Sequence, residues 1–170
     1  MVKTRMKDII IQNAILDDYD DYYTIRCEES DIYWMGHKSK PDYDYLFNVF
    51  KERVAGKRFK VSGDKTIYMV KKESGVAIGF TMLSVTDVGI EIGISILKKY
   101  QGMGLGTIII ARIIEIARSY SNYLVARIRD DNIASQTVFT KNGFVRTTEY
   151  ELKFFPKAGL IPFRKYVYRV

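Results

Sequence analysis

The sequence predicts an α/β protein of the α+β type, folded as one domain over residues 1–170. Three observations carry that expectation. The chain is long enough to bury a core without metals or disulfides. Residues 66–97 hold three strand-like runs, TIYMVKK, VAIGFTMLSV and IEIGISIL, separated by turn signals at Gly75 and at residues 87–89, the pattern of strands in antiparallel succession. Between residues 104 and 121, in contrast, apolar side chains recur at helical spacing.

Taken in order, residues 8–14 read as a first strand. DDYDDYYTIRCEES then opens with acids, as the positive end of a helix dipole favours. The stretch IYWMGHKSKP breaks the pattern and is expected as a loop holding the single Trp and the single His. A helical stripe resumes through Tyr43, Leu46, Phe47 and Phe50, with Gly56 as its stop. The three strands follow. In the last of them Ile90, Ile92, Ile94 and Ile96 share one face, and Glu91, Gly93 and Ser95 the other. An acid, a glycine and a serine offer little to pack, so that face is either solvated or open to a ligand.

The segment GLGTIIIARIIEIARSYS has six isoleucines within nine residues, and β-branched residues are only fair helix formers. Spacing decides for a helix of about four turns. Arg112, Glu115, Arg118 and Ser119 fall on one face, and Leu105, Ile109, Ile113, Ile116 and Tyr120 on another. YLVARIR reads as a strand, residues 131–144 as a short helix ending on Gly143, and two strands are expected around Tyr150 and Tyr168.

A count of 27 Lys+Arg against 20 Asp+Glu gives a net charge of +7, which favours polyanionic partners. The basic residues are scattered, however, with no run of five or more, and this speaks against a dedicated nucleic-acid module. Cys27 is the only cysteine and His37 the only histidine, so no intramolecular disulfide and no metal site built on Cys and His is expected. Cys27 reads as a structural thiol, because no base accompanies it, and His37 as a loop residue. The isoleucine triplet near the N-terminus is too short for a signal sequence, and the longest apolar run, residues 108–111, is far below membrane-spanning length. The expected location is cytoplasmic, with neither nucleic acid nor membrane as partner.

A strand, the glycine-rich QGMGLGT and then a helix form an arrangement suited to an anion. The first helical turn offers unpaired N–H groups and the positive end of the dipole, and glycines let a phosphate approach the amides. Two familiar phosphate loops do not fit. No Lys precedes Thr107, as the Walker pattern requires, and Gly102, Gly104 and Gly106 are spaced wrongly for the dinucleotide fingerprint. The pattern that does fit is Q-x-x-G-x-G, spelled by Gln101, Gly104 and Gly106.

With the strand before it and NIASQTVFTKNGF after it, this loop resembles the GNAT superfamily of N-acetyltransferases. The motif-bearing stretch covers residues 89–144, and the order of elements is similar to the family along nearly the whole chain. The resemblance implies the GNAT fold: a central mixed, mostly antiparallel sheet of about seven strands, splayed at the cofactor site and flanked by about four helices. It implies acetyl-coenzyme A as cofactor. Gly102, Met103, Gly104, Leu105, Gly106 and Thr107, with Gln101 before them, would hold the pyrophosphate. Ile94, Ser95 and Ile96 would pair with the pantetheine arm, and Asn132, Ser135 and Phe139 would border the thioester.

Acetyl transfer needs a neutral amine, although a free alkyl amine has a pKa near 10, so a base must take the proton. Glu91 lies on the Gly/Ser face of the splayed strand, one place where the family carries its base. The alternative position, five residues before Asn132, is Arg127 and not an acid. The sequence departs from the family at Phe139, where many relatives have a Tyr that protonates the leaving thiolate. Phe cannot donate a proton. Among the 13 tyrosines, Tyr150 and Tyr166 are the candidates to replace it, unless the thiolate leaves unassisted. Glu28, Tyr33 and Trp34 lie where the family builds its acceptor site, and carboxylates with aromatics suit a cationic amine. The expected reaction is transfer of acetyl to the primary amine of a small molecule by direct attack in a ternary complex. Acetylation of a protein N-terminus or lysine, and coenzyme A binding without catalysis, stand as alternatives, and a homodimer is left open.

Overall fold

Alternation along the strands sorts their side chains onto two faces of one sheet. In β2 (Lys65–Lys72), Ile67 and Met69 point to one side, and Tyr68 and Val70 to the other. The computed structural model describes residues 9–54 and 59–169. Among them a seven-stranded sheet is formed by β1 (Ile9–Asn13), β2, β3 (Ala77–Val85), β4 (Ile90–Ile96), β5 (Tyr123–Arg129), β6 (Val145–Phe155) and β7 (Gly159–Arg169), in the order β1-β2-β3-β4-β5-β7-β6. Every neighbouring pair is antiparallel except β4 with β5, which is parallel.

Five helices cover the two faces: α1 (Tyr19–Arg26), α2 (Glu29–Met35), α3 (Tyr43–Val54), α4 (Leu105–Arg118) and α5 (Ile133–Lys141). The side of Ile67 and Met69 receives Tyr19, Tyr22 and Ile25 of α1 with Leu46 and Phe50 of α3. The opposite side receives Ile110, Ile113, Ile114 and Ala117 of α4 with Phe139 of α5. At roughly 1.5–3 kcal/mol per buried isoleucine, this stripe outweighs the modest helix propensity of β-branched residues. Ile116 is only half-buried and Tyr120 is half exposed against Phe59, so the core stripe is turned slightly from the expected one.

Two expectations change. The stretch predicted as a loop around Tyr33 and Trp34 is helical as far as Met35, so the sheet carries five helices where about four were expected. Gly36 ends that helix in the left-handed conformation, with φ 75°; the glycine that suggested a loop is a C-cap. The acids before α1 also do more than meet a helix dipole. Asp18 is buried, accepts from the Ile15 N–H at 2.9 Å and pairs with Lys71 of β2. The predicted stop at Gly56 lies outside the described residues.

The feature that shapes the site is the short contact between β4 and β5. Only Ile90 with Leu124 and Glu91 with Val125 are in register, and beyond Glu91 the two strands part. A Cβ on Gly89 would lie 2.0 Å from the carbonyl oxygen of Tyr123, so a bare backbone is needed where the strands come together. Gly93, past the divergence, has no atom nearer than 3.9 Å to such a Cβ. Gly89→Ala is therefore expected to destabilise the fold by about 1–3 kcal/mol, while Gly93→Ala changes stability by less than about 0.5 kcal/mol. Urea denaturation of the two variants checks the contrast.

Candidate active site

Where β4 and β5 separate in mid-sheet, a cleft of about 530 Å³ opens. One wall is the end of β4 that has parted from β5, with Ile94, Ser95 and Ile96; the floor is the start of α4; the far wall is α5, with Asn132 and Ser135. These sequence-predicted residues come together, as do Gln101, Gly102, Gly104, Leu105, Gly106 and Thr107. Met103 is half exposed and does not line the cleft.

The glycine loop is held from below. Gln101 donates from Nε2 to the carbonyl oxygen of Ile96 at 2.7 Å, closing the loop onto the end of β4. Gly102 and Gly104 have φ values of 73° and 78°, a region costly to other residues, and a Cβ on either would point into open space. No side chain caps α4 at Gly104, so its first N–H groups face the cleft without an internal partner. Such a cradle fits a phosphate. Gly106 serves packing instead. A Cβ there would come within 3.1 Å of Val138, so this glycine lets α4 and α5 approach closely. Asn132 caps α5 by accepting from the Ser135 N–H at 3.0 Å.

A smaller cavity of about 190 Å³ continues from the cleft and shares Trp34, Met35, Ile94, Asn132 and Ser135 with it. Glu91 lines this cavity, and also an outer one of about 360 Å³ at the same end of the sheet. Its Oε2 lies 3.5 Å from Nε of Arg127. Burial raises the pKa of Glu91, against the pull of Arg127 and Lys65. A carboxylate that is half-buried, accessible from a cavity and harder to ionise than usual is suited to accept a proton. Phe139 belongs to the core, 2 % exposed and edge-on to Phe144 at 5.0 Å, and it meets the inner cavity rather than the larger cleft.

The predicted acceptor residues have other occupations. The carboxylate of Glu28 accepts from the Lys98 N–H at 2.8 Å, tying α2 to the segment after β4, and it lines neither cavity. The aromatic pair expected to receive a cationic amine already holds one. The guanidinium of Arg129 lies 4.7 Å from the Tyr33 ring, 4.9 Å from Trp34 and 4.3 Å from Phe155. Arg129 is 2 % exposed, binds Asp131 through two nitrogens at 2.9 and 2.7 Å, and donates to the Tyr33 carbonyl at 2.9 Å. Trp34 still forms a wall common to the cleft and the inner cavity.

Two elements of the site had no signal in the sequence. Ser95 donates to Oδ1 of Asp31 at 2.6 Å, although the residues are 64 positions apart. Asp31 is buried, its other oxygen 3.1 Å from Nη1 of Arg26 in ionic contact without hydrogen-bond geometry. Arg26 in turn reaches Nε2 of His37 at 2.7 Å. Burial and the neighbouring Arg26 lower the pKa of His37, so the imidazole accepts in that contact. The second element is Tyr100, which lines the cleft, whereas neither Tyr150 nor Tyr166 does. Tyr150 is exposed at the outer cavity with Arg164 4.8 Å from its ring, and Tyr166 is 1 % exposed in the core.

The acetyltransferase (GNAT) domain model matches residues 8–145. Among solved structures, the spermidine N-acetyltransferase from Vibrio cholerae, in complex with CoA and spermine, superposes with a TM-score of 0.82 at 13% identity and 96% coverage of both chains. The aminoglycoside acetyltransferase AAC(6')-Ib in complex with coenzyme A superposes with a TM-score of 0.74 at 16% identity, over 95% of this chain and 94% of that one. No curated protein matches the chain. Strand order, the parted β4 and β5, and a family match over most of the length agree: the chain belongs to the GNAT family of acetyltransferases, whose donor is acetyl-coenzyme A.

Proposed function

We propose that this GNAT acetyltransferase transfers acetyl from acetyl-coenzyme A to the primary amine of a small molecule by direct attack in a ternary complex. The observation that carries the proposal is the position of Glu91. It is the last residue of β4 paired with β5, so the sheet opens immediately beyond its carboxylate and joins a cofactor-sized cleft to a small cavity. A volume of about 190 Å³, walled by α2 and by Phe155 and Phe163 of the β6–β7 hairpin, suits a small acceptor better than a peptide. The spermine and aminoglycoside chemistry of similar structures agrees with an amine acceptor.

In this reading residues 102–107 hold the phosphates through their amides, and the free edge of Ile94, Ser95 and Ile96 pairs with the pantetheine arm. Asn132 and Ser135 border the thioester end, with Phe139 behind them. When bound, acetyl-coenzyme A supplies the activated acetyl group. Glu91 takes the proton from the incoming ammonium, directly or through water, while Arg127 keeps the carboxylate ionised. No phenol stands at Phe139, so that residue gives the leaving thiolate no proton; Tyr100 is the tyrosine that lines the cleft. Acceptors presented as a panel of small amines and of peptides, with release of free coenzyme A as readout, test the function. Release with peptides alone would favour protein acetylation, and no release with any acceptor would favour a binding protein.

Two variants probe the site itself. Gly104→Val fills the cradle and forces a β-branched residue into a left-handed conformation. Acetyl-coenzyme A affinity is expected to fall at least about tenfold, roughly 1.4 kcal/mol, in calorimetry on folded protein, and wild-type affinity would remove the loop from the phosphate site.

Glu91→Gln keeps the shape and removes proton acceptance. Turnover is expected to fall by about 10²–10⁴ with cofactor affinity near wild type, and the loss should shrink at high pH, where more of the amine is already neutral. Only the ionised form of Glu91 accepts a proton, so activity declines as pH drops through its pKa. Burial raises that pKa, placing the acid limb of kcat/KM above that of an ordinary carboxylate. Arg127→Ala removes the cation that opposes the rise and should move the limb to still higher pH. A limb that stays in place would exclude Glu91 as the base.

A further inference from the structure

Strand β6 is the last strand at one side of the sheet, eleven residues long, against five for β1 at the other side. Its irregularity is confined to the segment between Arg146 and Tyr150, and from Tyr150 to Phe155 it runs in regular register with β7. Its outer edge therefore presents an ordered row of backbone donors and acceptors, which natural proteins seldom leave bare. The side chains add to this. Tyr150, Leu152 and Phe154 are 56 %, 63 % and 63 % exposed on one face, and Leu160, opposite Phe154 on β7, is 67 % exposed. Glu151 and Lys153 alternate onto the other face, toward the acceptor cavities.

We propose that β6 pairs antiparallel with β6 of a second copy of this chain, on a two-fold axis through Leu152. The sequence of the strand selects that register. A two-fold axis must pass through a residue for the apolar face of one strand to lie opposite the apolar face of the other, because an axis between residues sets Leu152 against Glu151. An axis through Glu151 opposes Glu151 to itself, and one through Tyr150 opposes Glu149 to Glu151. An axis through Leu152 sets Glu151 of each copy against Lys153 of the other, and Tyr150 against Phe154. Both are favourable cross-strand pairs, and each occurs twice by symmetry.

The consequence reaches the active site. Glu151 lines the outer cavity and lies 4.0 Å from Arg127, the partner of Glu91. Lys153 of the second copy would stand across the strand from Glu151, so each copy completes the rim of the other's acceptor cavity.

Sedimentation equilibrium of the full chain tests the pairing. The wild type is expected to be dimeric at micromolar concentration. Leu152→Lys, on a side chain that lines no cavity, sets two ammonium groups face to face on the axis and should yield a monomer. Glu151→Lys should weaken self-association at least about tenfold, through two like-charge contacts, and adding Lys153→Glu should recover it. A monomeric wild type, an assembly indifferent to Leu152→Lys, or failure of the double reversal to recover what the single one loses would each overturn the proposal.

Discussion

Everything distinctive about the site follows from the parting of β4 and β5. A strand that leaves its neighbour in mid-sheet exposes backbone donors and acceptors that a folded chain otherwise pairs almost completely. The separation here starts after Glu91, and on the side turned from β3 Ile94, Ser95 and Ile96 face a cleft instead of another strand. The chain holds the two strands together just before the fork, through Gly89, and covers the gap with α4 and α5 on one side and α2 on the other. In the proposed reading, an extended ligand that supplies its own hydrogen bonds would take the place of the missing strand partners. The fork thus leaves an opening in the sheet and sets the proposed catalytic carboxylate at its vertex.

Charges buried around that vertex serve position more than stability. Asp31 with Arg26, and Arg129 with Asp131, are pairs in which one or both members are nearly inaccessible. Desolvation offsets much of the attraction in such pairs, whereas removing one member strands the other at a cost of about 3–5 kcal/mol. One member of each pair also reaches a separate element. Asp31 ties α2 to Ser95 on the free part of β4, and Arg129 ties the end of β5 to the backbone and rings of α2. The acceptor wall is thereby fixed to both prongs of the fork.

The parts of this arrangement that follow local rules were legible in the sequence. Strand-like runs separated by turn signals located β2, β3 and β4, and side-chain spacing identified α4 despite its isoleucines, because burial of one stripe overrides propensity. The loop and strand that line the larger cleft were legible for the same reason: they are contiguous. Helix α2 was not, since seven residues with a tryptophan, a methionine and a following glycine carry too little periodicity to separate helix from loop. Arg129 and the Asp31–Ser95 pair were invisible for a deeper reason. Their meaning lies in contacts between residues 33 and 129, or 31 and 95, and such contacts leave no trace in local pattern. The aromatics near Trp34 were legible as a cation site, but not that the cation is the chain's own.

In the proposed mechanism, the unequal weight of the two proton transfers suits a site with Glu91 as base and no tyrosine at Phe139. An alkyl ammonium with a pKa near 10 must lose a proton at pH 7, which costs about 4 kcal/mol if it is done in advance by bulk water. A thiol with a pKa near 8.5 gains only about 2 kcal/mol from being protonated at the same pH, and the proton can arrive after the sulfur has left. Losing the base therefore costs more than losing the acid, and only the base must act before the new bond can form. Phe139 gives up the lesser of these two contributions in favour of packing. As a phenyl ring it is buried against Phe144 in the core, where a phenol would need a partner for its hydroxyl. The proposed base, Glu91, would supply the greater contribution, in a setting where burial and Arg127 pull its affinity for protons in opposite directions and leave it raised.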